Sequence, residues 1–321
     1  MTNVPFIRYG GNFVVQQPFV IRQAQTFGFA VDGDRDRLQA LCDRTLNLSP
    51  TTRYTAVSST VLVAFMHMKR LCSGVPESAA CGTFTERELN ISILLAAEEK
   101  VGPVWLPARL VWHMPYLWLD STNALVAGRD LYGFPKQYGS IAMPSREGEA
   151  AEFRATGEVL PCFDPQTHAC IEPVATVRRT DASNLEFADP FAEIVGAAGA
   201  FVREVMRITD PLLFLGAGLA DLTAENLLNL VFLRQLPSIE DGSRACYQAI
   251  AEASSLPRDL RDGGFLRGDF ALEIPHHDSA PWAYELGIAA NPEKVTVHPH
   301  SAFHLDVDFD LSAGREIWTA G

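Results

Sequence analysis

Residues Gly128 to Gly139 read GRDLYGFPKQYG, and the lysine inside them decides how the rest of the chain is read. Lys136 follows Pro135 directly and Gly133 closely, with Leu131, Tyr132, Phe134 and Tyr138 around it. An unpaired ammonium buried among such side chains costs several kcal/mol. A chain that places lysine there either lets its head reach water while the stem packs on the aromatics, or uses the neutral amine. Free lysine titrates near about 10.4, so at pH 7 roughly one amine in 2,500 is neutral. Desolvation lowers that value and recovers up to about 4–5 kcal/mol of the barrier to attack on a carbonyl.

Outward from this turn the pattern is mostly period-2. Phe27, Phe29 and Val31 alternate with small or polar residues, Tyr54–Leu71 alternates and then turns continuously apolar, and Leu89, Ile91, Ile93 and Leu95 form a clean strand opened by Thr83–Glu86. Trp105–Leu119 reads as a long strand kinked or bulged at Pro115. Asp34 is placed to cap a helix over Arg35–Leu46, and Asp120-Ser121 to cap one over Thr122–Leu131 that closes near Gly133. Strands follow at Glu149–Leu160, Val174–Arg179, Ala245–Ala253, Phe265–Ile274, Tyr284–Ile288 and Lys294–Phe309. Residues 181–230 differ in texture, with helical patterns at Phe191–Ile208 and Leu222–Leu230. No linker or repeat divides the 321 residues, so the expectation is one domain, 1–321, with a helical insertion at about 181–230.

Composition narrows the function. The net charge is −13 with no run of Lys or Arg longer than a pair such as Arg178-Arg179, which disfavours nucleic acid and anionic membrane as partners. Six cysteines without a CxxC pair read as reduced thiols, and no apolar run is long enough to span a bilayer, so the default is cytoplasmic. There is no G-x-S-x-G and no phosphate loop. His298, His300 and His304 share a period-2 face and make a metal site geometrically possible. Pro299 interrupts that face and no spaced glutamate completes a ligand set, so no metal or cofactor is assigned. These histidines could instead line a pocket rim. Arg129 has two readings: a salt bridge to Asp130 or Glu86, or a guanidinium offered to a substrate carboxylate.

Residues Val111 to Pro144 resemble the acetoacetate decarboxylase family around its Schiff-base lysine. The resemblance runs through Leu119-Asp120, Gly128-Arg129-Asp130 and Phe134-Pro135-Lys136-Gln137. Phe84-Thr85-Glu86 resembles the stretch carrying the family's catalytic glutamate, and Leu236–Arg244 a strand-turn-strand in its second half. Two features depart from the family. Its second lysine is Gln137 here, and the arginine expected before the strand at Thr26–Val31 is Ala24, with Arg22 two residues earlier as the stand-in. With the cationic neighbour gone, activation of Lys136 falls to desolvation alone or to another cation.

The resemblance implies an α+β fold: a large curved, mostly antiparallel sheet or cone-like barrel with peripheral helices and the pocket inside the cone. It implies a lyase in which Lys136 forms an iminium with a keto acid, and decarboxylation or aldol or dehydration chemistry proceeds through an enamine. Glu86 would manage protons, Arg129 or Arg22 would orient the carboxylate, and Tyr132, Phe134 and Gln137 would line the site. A homo-oligomer is expected. The alternative is a small-molecule binding protein on the same scaffold.

Overall fold

The computed structural model describes residues 4–7, 9–10, 14–190, 202–209 and 229–320. Its first half is an antiparallel meander of long strands: β1 (Phe19–Asp32), β2 (Thr52–Ser73), β3 (Phe84–Val101) and β4 (Val104–Leu119). Helix α1 (Arg35–Thr45) connects the first two strands, capped by Asp34 as its sequence anticipates, with the Asp34 carboxylate accepting from the Arg37 N–H. Leu38, Leu41 and Cys42 fix its buried face. The four-residue α2 (Pro76–Ala79) links β2 to β3.

After β4 comes α3 (Thr122–Ala127), capped by Ser121. It was expected to run to Leu131. Instead it widens into a π-helical turn over Gly128–Tyr132 and stops at Gly133, whose φ of 87° is left-handed. The chain then enters β5 (Lys136–Ala142), which runs parallel to β4. Strands β6 (Glu152–Val159) and β7 (Cys170–Arg179) continue outward in antiparallel fashion, and β8 (Phe187–Pro190) follows.

The second half supplies β9 (Asn229–Pro237), β10 (Ala245–Leu266), β11 (Phe270–Ile274), β12 (Val295–Val297), β13 (Ser301–Leu311) and β14 (Arg315–Thr319). Strands β9 and β10 are the hairpin read at Leu236–Arg244, with the Ser238 N–H donating to the Arg244 carbonyl. The segment Tyr284–Ile288 is not a strand. It begins inside a short helix, α4 (Trp282–Glu285), between Pro281 and Gly287. Gly287 has a φ of 75°, and the Gly287 and Ile288 N–H groups return to the Tyr284 and Ala283 carbonyls, closing a Schellman turn. The insertion expected at about 181–230 falls mostly outside the described residues. Within it β8 and a helical turn at 202–205 are described, and Leu230 lies in β9 rather than in a helix.

The pairings close on themselves. Strands run β4–β3–β2–β1–β13–β10–β9, and β9 returns to β4 through a short parallel contact at Trp112–Leu230 and His113–Val231. Seven strands therefore form a ring, and β5–β6–β7–β11–β12 leave it as a wing. Long strands with repeated register shifts bend as a cone requires. One face of the ring packs Phe27, Phe29, Phe65 and Ile91 against Phe153 and Val177 of the wing and Leu38 of α1. A wing and a helix cannot fit inside seven strands, so this face is the outer one. The opposite face collects Ala24, Ala30, Leu94, Leu110, Trp112, Leu117, Phe232 and Phe303 with Tyr132 and Phe134, and it is the interior. The fold is thus the mostly antiparallel, cone-like one, with α1 and α4 packed on its outer face and α3 against the interior cluster. No helix among the described residues is long and apolar enough to cross a membrane.

Candidate active site

A bulge in β4 aims the lysine. Ile91 pairs with Tyr116 but Ile93 with His113, so Met114 and Pro115 stand opposite Ser92 alone and β4 carries one extra residue. Leu110 and Trp112 face inward before the bulge, and Leu117 and Leu119 face inward after it, so the parity of the strand has flipped. Lys136 pairs with Leu117 and shares its face, while Gln137 pairs with Trp118, a residue of the outer core. By strand alternation Gln137 points away from Lys136, and so would a second lysine at that position.

The turn before β5 holds this geometry. The Arg129 Nη1 donates to the Lys136 carbonyl at 2.9 Å. Gly133 lies so close to β9 that an added Cβ would stand 2.6 Å from the Arg234 Cα. Gly128 lies under the lysine stem: a Cβ there would meet the Lys136 Cδ at 2.6 Å and Cε at 2.7 Å.

Of the chain's four lysines, Lys69, Lys100 and Lys294 are exposed, and Lys136 alone is buried, at 7% accessibility. Its Nζ donates to the Glu86 Oε1 at 2.6 Å and lies 3.9 Å from the Glu88 Oε2. Lys136 therefore does not lie in a purely apolar shell. Its partner is a pair of buried carboxyl groups. Phe134 adds an aromatic face, its ring centroid 5.2 Å from Nζ, and packs on Phe232 at 4.0 Å. Tyr132 is anchored by its hydroxyl donating to the Ser312 carbonyl at 2.8 Å, and burial pushes its phenol well above the ordinary value.

Glu88 is the residue that the sequence reading missed. On β3, Glu86, Glu88, Asn90 and Ser92 alternate with Leu89, Ile91 and Ile93, and all are buried. The Asn90 Nδ2 donates to the Glu88 Oε1 at 3.1 Å, and the Ser92 hydroxyl to the Asn90 Oδ1 at 3.0 Å. Burial first, then the Glu86 charge, pushes the Glu88 carboxyl up to about 8. The signal was present as a glutamate and an asparagine at even positions of a strand whose odd positions from Leu89 to Ala97 are apolar.

The other candidates separate from this centre. Arg22 is held at the β1 bulge by Asp310 at 2.8 Å and by the Ile21 and Phe309 carbonyls. Ala24 is fully buried on the inner face. Each C-terminal histidine has its own partner: His276 contacts Asp278, His277 the Pro173 carbonyl, His298 the Phe270 carbonyl, His300 the Val205 carbonyl and His304 Asp262. No group of three or more His, Cys, Asp or Glu side chains among the described residues is arranged to hold a metal ion.

A closed strand ring with one interior lysine against a carboxylate defines the class of site. Residues 4–159 match the model of the acetoacetate decarboxylase family. An acetoacetate decarboxylase from Legionella pneumophila aligns over 98% of this chain and 93% of its own, at 14% identity and a TM-score of 0.62. An acetoacetate decarboxylase-like enzyme from Sphingomonas wittichii aligns over 95% of each chain, at 16% identity and 0.54. The enduracididine biosynthesis enzyme MppR, complexed with pyruvate, aligns over 96% of this chain and 93% of its own, at 13% identity and 0.53. No curated protein matches the sequence. The first half of the chain thus resembles the acetoacetate decarboxylase family, and the solved structures share its fold over nearly the whole length.

Proposed function

We propose that the protein is a lyase that forms a Schiff base between Lys136 and a keto acid and works through an enamine. The observation that carries this reading is the single buried lysine donating to Glu86 at 2.6 Å on the inner face of the ring. In this reading Glu86 takes the ammonium proton along that hydrogen bond. The freed amine attacks the carbonyl carbon, and Glu86 returns the proton to the oxygen that leaves as water. The resulting iminium accepts the electron pair of the adjacent bond as CO2 departs, or as an aldehyde departs with its hydroxyl proton passing to solvent. The MppR complex, with pyruvate as its ligand, supports a keto acid as the substrate class. Tyr132 and Phe134 would wall the apolar end of the site. Arg129 would act first by holding the start of β5, and Arg22, bound to β13, takes no part.

The binding-protein reading draws on the same contact, since an ammonium already neutralised by Glu86 is also a stable polar anchor. Product analysis separates them. Incubation with pyruvate, acetoacetate and longer β-keto acids, followed by NMR, should show Lys136-dependent CO2 release or carbon–carbon bond exchange. Unchanged substrate throughout the panel would favour binding without turnover.

A further inference from the structure

Loss of CO2 or an aldehyde from the iminium leaves an enamine carbon that must receive a proton before the product is released. Glu86, having served the amine and the departing oxygen, is not the only group within reach. The Glu88 Oε2 stands 3.9 Å from the Lys136 Nζ, on the same inner face of β3 and at 5% accessibility. Asn90 donates to its other oxygen at 3.1 Å, which fixes the carboxyl plane and leaves Oε2 toward the lysine. The next inner residues, Leu94 and Ala96, are apolar, so the polar row ends within the ring.

Resting on the Schiff-base reading above, we propose that Glu88 is a second catalytic residue, the acid that protonates the enamine carbon. Its carboxyl retains a proton at neutral pH because burial and the neighbouring Glu86 charge both oppose ionisation. The Glu88 O–H bond breaks as the enamine π pair forms the new C–H bond. The nitrogen becomes an iminium again, and Glu88 is left as a carboxylate. Water hydrolyses the iminium, which restores the lysine amine and releases the carbonyl product. In decarboxylation one proton from solvent returns to Glu88 per turnover, matching the proton consumed when a keto acid becomes a ketone and CO2. The two glutamates therefore divide the work, Glu86 serving nitrogen and oxygen and Glu88 serving carbon.

The test uses pyruvate as the probe, because the same step run backward exchanges its methyl protons in D2O. Wild type, Lys136→Ala, Glu88→Gln and Glu88→Asp are compared by NMR for methyl deuteration and by borohydride trapping. Wild type should exchange and Lys136→Ala should not. Glu88→Gln should exchange at least about 100-fold more slowly while still being trapped as an imine, and Glu88→Asp should recover part of the rate. Exchange by Glu88→Gln within about threefold of wild type would overturn the proposal. So would joint loss of trapping and exchange in that variant, which would place Glu88 at the amine. Wild type that traps pyruvate but does not exchange it defeats Glu88 alone. Wild type that does neither defeats the Schiff-base reading and this proposal together.

Discussion

Lys136 reaches Glu86 because residue 128 has no side chain. The atoms that a Cβ at Gly128 would strike belong to the flexible end of the lysine, so the fold can yield there and the chemistry cannot. Gly128→Ala should change unfolding free energy by no more than about 1 kcal/mol yet cut the rate of imine trapping at least about tenfold. Equal trapping in the two proteins would remove Gly128 from the account. Glu88 carries a second prediction. Its carboxyl is raised in the fold, so the folded state holds a proton that the unfolded chain gives up from about pH 4.5 upward. Stability is therefore lost as pH rises through the window from about 4.5 to 8. Glu88→Gln should abolish that slope and exceed wild type by a few kcal/mol above pH 8, measured by urea unfolding at pH 5 and 9. Lysine-centred reading of the sequence located Lys136 and Glu86. It did not single out Glu88, and it read Gly128 only as part of the motif, because the approach of the Lys136 stem to Gly128 is a tertiary contact.

Strand β3 performs two tasks by alternation, building the outer core with Leu89, Ile91 and Ile93 and the polar interior with Glu86, Glu88 and Asn90. Strand β4 needs its bulge so that Leu117, and with it Lys136, face the same interior. The proline that signals the bulge was legible at Pro115, but which face it exposed was not, because parity depends on how many residues the bulge absorbs. Where β4 meets β9, His113 seals the ring, its Nδ1–H donating to the Val231 carbonyl at 3.1 Å. Burial pushes this imidazole down to about 4. Its folded value lies below the ordinary 6.5, so the stability it confers is full above pH 6.5 and is lost as pH falls toward 4. Wild type should lose about 2–3 kcal/mol more than His113→Gln between pH 7 and pH 4. Parallel pH profiles for the two proteins in urea unfolding would contradict the seam.

Closure of the ring is what turns a curved sheet into an enclosed site, and a buried network helps to hold it. The Arg109 guanidinium of β4 grips both oxygens of Glu252 on β10, at 2.9 and 2.6 Å, and the Tyr54 hydroxyl of β2 donates to the same carboxylate at 2.8 Å. Removing the acid leaves the buried Tyr54 hydroxyl without its acceptor and the half-buried Arg109 with Glu99, at 2.8 Å, as its remaining carboxylate. Glu252→Ala should cost about 3–5 kcal/mol in denaturant unfolding, while Arg178→Ala, in an exposed pair with Glu152, should cost under about 1 kcal/mol. Similar losses would mean that the crossing network does not brace the ring. The strand-rich class was legible from the run of alternating strands, and the cone only through the family resemblance of the Lys136 motif. The segment Tyr284–Ile288 was not, since its apolar alternation is shared by a one-turn helix, and Pro281 and Gly287 were the better guides.

In the proposed Schiff-base chemistry Lys136 is a covalent nucleophile. Borohydride reduction in the presence of pyruvate, acetoacetate or a longer β-keto acid, read by intact mass and peptide mapping, tests it without assuming which bond is cleaved. A single adduct is expected, of one substrate mass less water plus two hydrogens (less CO2 as well where decarboxylation precedes reduction), located on Lys136 and absent from Lys136→Ala. An adduct that maps to Lys69, Lys100 or Lys294, or no adduct with any of the acids, would contradict it.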